Sequence, residues 1–362
     1  MPVALRSDQV EFATRLTPAL GAGGELAWSP LSVAGALGLL ATGARGRTRQ
    51  ELAALLGPDL DTHLAALDDA VTGAPELATL TSLWVRDDLP VRPEFTAAVK
   101  ARPNAAVRTA DFAADPEGVR RAANAEVSEV TRGLIAELLR SGDVNSATRA
   151  LLVNALWVRV RWSKPFDPAD TAPHDFRSPS GTRRVPMMRG RERRPYARAA
   201  GWRMVTVAAA DDLALDVLLP EDESDRGVPT TKALHALYRA AAPTDVDLAL
   251  PRFEVRTRAA LSGPLRACGA ATVFTDDADL SGVSEHPLRV DEAVHEAVLR
   301  VDEKGAVGAA ATAVVMRTVA AMPSKPVRFV VDRPFAFILR RRGGLLFLGT
   351  VTAPTDPGRA AD

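Results

Sequence analysis

Ala293-Val294-His295-Glu296-Ala297-Val298-Leu299-Arg300-Val301-Asp302-Glu303-Lys304-Gly305-Ala306-Val307-Gly308-Ala309-Ala310-Ala311-Thr312-Ala313-Val314-Val315 changes character halfway. From Val290 to Val301 it reads as a strand of alternating pattern. Alternation places His295 on the face of Ala293 and Ala297, aimed into a small-residue interior where a hydrogen-bonded core histidine is expected. The charges at Asp302, Glu303 and Lys304 end the strand. After Gly305 there is no proline, no charge and almost no bulk. As a helix this segment buries little area, and as a surface loop it is unusually apolar. As a strand, Ala306, Gly308, Ala310, Thr312, Val314 and Met316 share one face, small enough to slide between a sheet and a layer packed over it. An Ala-rich core helix is the rival reading, and these residues alone leave the choice open.

Strand signals dominate the second half of the chain. Ala150 to Val160 is nearly continuous apolar, as in a strand buried on both faces. Met204–Val207, Leu213–Leu219, Val246–Leu250, Val327–Val331, Phe335–Leu339 and Leu345–Val351 also suit strands. Helical signals crowd the first half. Asp8 to Leu20 is one helix. Ser29 caps a second that opens on Pro30 and runs to about Thr42. Thr48 is placed to cap a third, Arg49 to Leu56, with Glu51 at capping-box spacing. Glu117 to Leu139 is helical with a break at Gly133. Helices early and strands late, with no strict alternation, indicate an α+β fold, and the absence of repeats or long linkers indicates one domain.

The chain has 362 residues, 47% hydrophobic and 25% charged, with 45 basic and 45 acidic residues. A neutral balance gives no reason to expect nucleic acid or an anionic membrane as partner. Met1 to Asp8 has no apolar core of signal-peptide length, and no apolar run reaches the roughly 18 residues of a span. A cytoplasmic chain is therefore expected, with export by another route left open. The excess of Arg and Ala fits a GC-rich genome. Cys268 is the single cysteine, so no internal disulfide forms, and its apolar surroundings suggest an inert buried thiol. His63, His174, His235, His286 and His295 fall in no metal-ligand spacing, and neither a Gly-x-Ser-x-Gly motif nor a phosphate loop is present. No metal, cofactor or enzymatic activity is expected. The basic run Arg189, Arg191, Arg193, Arg194 and Arg198 reads as a solvated hairpin, with a polyanion site as its alternative.

Ser29-Pro30-Leu31-Ser32 through Gly43-Ala44-Arg45-Gly46, the first of a series of ordered blocks running to Pro354, resembles the second-helix signature of the serpin family of protease inhibitors. Val153-Asn154-Ala155 through Trp162, with Pro165-Phe166, Thr171, Phe176, Gly181 and Val185-Pro186-Met187-Met188, resembles the next block. Phe274 with Ala278-Asp279-Leu280-Ser281-Gly282-Val283 follows. Val294-His295-Glu296-Ala297 to Gly305 resembles the strand leading into the reactive loop, and Arg333-Pro334-Phe335-Ala336-Phe337 and Leu346-Phe347-Leu348-Gly349 resemble the C-terminal strands. Each block is moderately specific; the ordered set is highly so, and its composition suggests a bacterial-type member.

The resemblance implies a single domain, residues 1–362, of three β-sheets and eight or nine helices. A reactive-centre loop at about 303–326 would be exposed above the central sheet. It implies a monomeric suicide-substrate inhibitor that forms a covalent complex with a serine protease. A non-inhibitory member acting as a binding or chaperone-like protein is the alternative. Ser29, Ser32, Asn154 and His295 map onto the polar shutter where sheet strands part, and Glu303, Gly305, Ala306, Val307, Gly308, Ala309, Ala310, Ala311 and Thr312 onto the loop hinge. Counting from Glu303, the scissile bond falls at Val319-Ala320, suiting elastase-like or subtilisin-like proteases. Arg317-Thr318, suiting a trypsin-like enzyme, is second and Met322 third. Ala306, Val307 and Gly308 depart from the usual hinge residues but stay small or β-branched. The stretch between Gly57 and Leu80 is short for the family's polyanion-binding helix, which is expected to be reduced.

Overall fold

The computed structural model describes residues 5–21, 23–57, 59–74, 76–225, 227–305 and 325–358. In chain order the elements are α1 (Ser7–Leu20), β1 (Leu26–Trp28), α2 (Pro30–Gly43), α3 (Gly46–Leu56), α4 (Leu60–Val71), β2 (Leu77–Arg86), α5 (Pro93–Lys100), β3 (Ala105–Ala110), α6 (Pro116–Val130), β4 (Ala150–Val158), β5 (Ala172–Ser178), β6 (Gly181–Ala199), β7 (Trp202–Ala208), β8 (Leu213–Pro220), α7 (Thr231–Ala240), β9 (Ala242–Pro251), β10 (Phe253–Ala260), α8 (Ser262–Ala267), β11 (Glu292–Val301), β12 (Val327–Val330), β13 (Phe335–Arg341) and β14 (Gly344–Val351). The α+β expectation holds, and the described residues carry eight α-helices, within the expected number.

Two sheets are present among the described residues where three were expected. One has nine strands in the order β1-β14-β13-β8-β7-β6-β9-β12 with β5 paired to β6, and the other has five in the order β10-β11-β4-β2-β3. The merger has a local cause in β6, which is 19 residues long. Its first part pairs β5, its middle pairs β9 and its end pairs β7. A strand shared this way leaves no gap at which a third sheet could separate. The expected basic hairpin is found: the arginine run lies on β6, which turns at Ala200 and Gly201 into antiparallel β7, with Arg189, Arg191, Arg193 and Arg198 exposed. Arg191 pairs with Asp245, Arg194 is buried beside Glu192, and Arg198 pairs with Glu221.

The caps explain the helix boundaries. Ser29 Oγ accepts the backbone N–H of Ser32 at 3.0 Å, and Pro30 occupies the first helical position. Thr48 is not a cap: α3 starts at Gly46, and Thr48 Oγ1 accepts the N–H of Asp279 at 2.9 Å. Glu51 does not reach back to close a capping box either. It accepts from the N–H groups of Ala271 and Thr272 at 3.0 and 2.8 Å, tying α3 to the chain between α8 and β11. Burial opposes its charge, but those donors hold its carboxyl down at about 2. α6 ends at Val130, and Arg132 and Gly133 at φ +53° and +79° turn the chain away, so Leu134 to Leu139 is not helical. The stretch between Gly57 and Leu80, expected to hold a reduced helix, carries α4. α4 has 12 residues, and its charged side chains are Asp61, Asp68 and Asp69, a poor match for a polyanion.

The core divides in two across the five-stranded sheet. Its inner face, with Ala150, Leu152 and Leu156 of β4 and Ala293, Ala297 and Leu299 of β11, joins the main apolar core with α2. Its outer face, with Leu151, Val153 and Ala155 of β4 and Val294 of β11, packs against α6 and the segment that follows it. Among the described residues, no helix is long and apolar enough to cross a membrane.

Candidate functional site

β4 and β11 are adjacent, parallel and central in the five-stranded sheet, and their pairing runs from Glu292–Leu151 to Ala297–Leu156. The pairing stops there although the strands continue to Val158 and Val301. The seam between them is thus closed at its lower end and released above.

The four residues expected to form the shutter meet at the closed end. His295 of β11 is the register partner of Asn154 of β4. His295 Nε2 lies 3.1 Å from the backbone nitrogen of Ser29 and can only accept from it. The proton of the neutral ring therefore sits on Nδ1, which donates to Asn154 Oδ1 at 3.0 Å. Ser32 Oγ donates to the same oxygen at 2.7 Å. Asn154 Nδ2 faces the carbonyls of Ser32 and Leu80 and the hydroxyl of Thr81 at 3.1, 3.2 and 3.0 Å. α2, β2, β4 and β11 are joined through these side chains. Complete burial holds the His295 imidazole neutral, with its pKa pulled down to about 4. With one nitrogen occupied as acceptor and the other as donor, this histidine has no lone pair free for base catalysis. The expected core histidine is found, facing Ala293 and Ala297 as the alternation implied.

At the open end the chain reverses. Asp302 and Gly305 form a bridge, and Gly305 forms a second, antiparallel bridge with Arg161 beyond β4. Gly305 therefore lies across the mouth of the seam, against both strands. Its φ is +108°, and a Cβ there would stand 2.3 Å from the Val160 carbonyl oxygen and 2.7 Å from Arg161 Cα. Only glycine satisfies both the dihedral and the space. Glu303 is fixed by Thr171 Oγ1 at 2.7 Å and paired with Arg252 at 3.2 Å, while its carbonyl accepts from Phe166 N at 2.9 Å. Trp162 Nε1 donates to the Asp302 carbonyl at 2.8 Å. Asp302 Oδ1 takes the Lys304 N–H at 2.9 Å, whereas Oδ2 is buried without a partner, and burial pushes that carboxyl up.

The hinge residues Glu303 and Gly305 are thus placed at the seam. Ala306, Val307, Gly308, Ala309, Ala310, Ala311, Thr312 and the bonds at Arg317-Thr318 and Val319-Ala320 lie outside the described residues, as does Met322. Sequence reasoning missed Arg252, which follows Pro251 between two strands and carries no local signal of its partner 51 positions on. Cys268 is buried at the α1–α8 contact, and burial pushes its thiol up. His63 is buried and bonded to Asp8 at 3.0 Å, far from the seam. Among the described residues, no group of three His, Cys, Asp or Glu side chains gathers to hold a metal ion.

A family model described as Serpin (serine protease inhibitor) matches residues 7–354. The chain is 31% identical to Iris of Ixodes ricinus over 361 residues, covering 94% of this chain and 96% of that protein. It is 32% identical to leukocyte elastase inhibitor of Bos taurus over 354 residues, covering 91% and 93%. In structure it is similar to human thyroxine-binding globulin in complex with thyroxine, at a TM-score of 0.85 and 25% identity, covering 97% of this chain and 98% of that one. These relatives are eukaryotic, so the bacterial expectation gains no support from them.

Proposed function

This chain belongs to the serpin family, and from that premise we propose that it is a suicide-substrate inhibitor of serine proteases of elastase-like or subtilisin-like specificity. The observation that carries this reading is Gly305, which turns the chain at the mouth of a parallel seam with both edges beside it. A strand entering there runs antiparallel to β4 and to β11, the direction in which the Gly305 turn already points the chain.

In the proposed reaction the protease serine Oγ attacks the Val319 carbonyl carbon and the Val319–Ala320 C–N bond breaks. The protease's general acid gives the departing Ala320 amine its proton, and Val319 remains as an ester on the enzyme. Two fates then compete: water hydrolyses the ester, or the freed arm inserts between β4 and β11 and carries the tethered protease with it. Such insertion is an established form of strand addition in this family. Roughly a dozen new backbone hydrogen bonds at about 1 kcal/mol net each amount to on the order of ten kcal/mol. That suffices to distort a protease whose own stability is of the same order. Val319 suits a small apolar pocket, and the relative named for leukocyte elastase points to the same enzyme class. Arg317 is the second choice and would suit a trypsin-like enzyme. A polyanion at Arg189–Arg198 has less support, because Arg191, Arg194 and Arg198 already hold carboxylates.

Mixing the protein with elastase, subtilisin or trypsin and boiling in SDS tests the proposal. A covalent complex is expected, with the cleavage site read by mass spectrometry. Clean cleavage that leaves all three enzymes fully active would reject it and favour a non-inhibitory binding or chaperone-like role.

A further inference from the structure

The seam is covered on its outer face. α6 packs through Val119 and Val127 against β2 and β4, and Leu138 and Leu139 beyond it reach the same apolar cluster as Val294 of β11. Residues 131–148, between α6 and β4, therefore form a strap that crosses from the β4 side of the seam to the β11 side.

The strap is fastened on both sides. On the near side Asn124 of α6 exchanges two hydrogen bonds with the Leu139 backbone, at 2.8 and 2.9 Å. On the far side two arginines of β10 hold it: Arg256 Nη2 donates to the Leu134 carbonyl at 2.9 Å, and Arg258 Nε donates to the Leu138 carbonyl at 2.6 Å while pairing with Asp143. Arg256 also binds Glu296 of β11 at 2.8 Å, which orients its guanidinium.

Admitting a strand between β4 and β11 widens the sheet by about 4.8 Å. A hydrogen bond to a carbonyl fails well before such a stretch. The two fastenings cannot both hold while the seam opens with α6 seated on β2 and β4. We propose that Arg256 and Arg258 are positioning residues that set the rate of seam opening, with release of their hold on Leu134, Leu138 and Asp143 as a step in strand entry. In its use for trapping proteases this rests on the inhibitory function proposed above; in its mechanics it does not.

The test follows uptake of a synthetic Ala306–Met316 peptide by the intact full-length protein, read by native gel mobility and melting temperature. The Arg256→Ala/Arg258→Ala double variant is expected to take up the peptide about tenfold faster than the parent, equal to about 1.4 kcal/mol off the barrier. Arg300→Ala serves as control, since it removes the exposed Arg300–Glu254 pair between β10 and β11 without touching the strap. It should match the parent. Asp143→Ala leaves β10 unaltered and should accelerate uptake by a smaller factor, which keeps the idea testable if the double variant does not fold. Equal rates in parent and strap variants, or equal acceleration by Arg300→Ala, would overturn the proposal. A parent protein that takes up peptide at a strap-dependent rate yet traps no protease would reject the inhibitory function and support the strap.

Discussion

A methyl group at residue 305 would meet the Val160 carbonyl oxygen at 2.3 Å with φ at +108°. Gly305→Ala must therefore swing the turn away from Arg161 or bear strain of about 1–3 kcal/mol. Lower thermal stability together with faster proteolysis at the hinge is expected, measured by melting curves and limited digestion. His295 makes a second prediction. Its ring is neutral in the folded chain, with a pKa of about 4 against 6.5 for the free side chain. The stability this adds is complete above about pH 6.5 and is lost as pH falls through about 4. It amounts to at most on the order of 3 kcal/mol. His295→Gln should flatten the pH dependence of urea unfolding between pH 7 and pH 4.5. Parallel curves for the two proteins would mean that His295 does not titrate as argued.

For the elements, register decides. The bridges Arg161–Gly305 and Asp302–Gly305 fix where an entering strand starts on both edges. Carried along, they set Gly308 level with Val158 and Leu299, whose side chains face the main core. They set Thr312 level with Asn154 and His295, which already partner each other. Both edges thus prescribe one register. Gly308→Arg would drive a guanidinium into that apolar face and should turn inhibitor into substrate. An unchanged yield of covalent complex would show the register to be wrong. The strands legible in the sequence were β4, β7, β8, β9, β11, β12, β13 and β14, whose apolar runs or alternation have few other uses, whereas β2 was missed although it is largely buried. β3 and β6 were not legible, since an edge strand and a strand with alternate arginines in solvent resemble loops. The seam strand could be read from pattern up to Val301, whereas pattern left the small-residue continuation open between strand and helix, and it lies outside the described residues. The shutter could be read only by resemblance, because Ser29, Asn154 and His295 meet across more than a hundred residues of intervening chain.

For the whole molecule, the five-stranded sheet is one strand short of its proposed final state, and the single Cys268 means that no internal disulfide supports it. Cleavage at the loop without protease capture should raise the melting temperature by about 13 °C, if on the order of ten kcal/mol is released. Calorimetry before and after cleavage checks this, and an unchanged transition would remove the energetic basis of inhibition. The aromatic contacts at the foot of β10 bear on how such a change takes place. Phe253 meets Phe335 edge-on and Phe337 at a tilt, with ring centres 5.5 and 5.8 Å apart, and Thr257 Oγ1 accepts from Ala27 N at 2.8 Å. β10 and β11 are thereby bolted to the nine-stranded sheet, whereas β4 and β2 rest on α2 and β3 on α5. The smaller plate is the one free to shear. If the proposed insertion proceeds by that plate gliding over α2, Asn154 would leave Ser32 while His295 kept its bond to Ser29, and the latch would part at one leaf only.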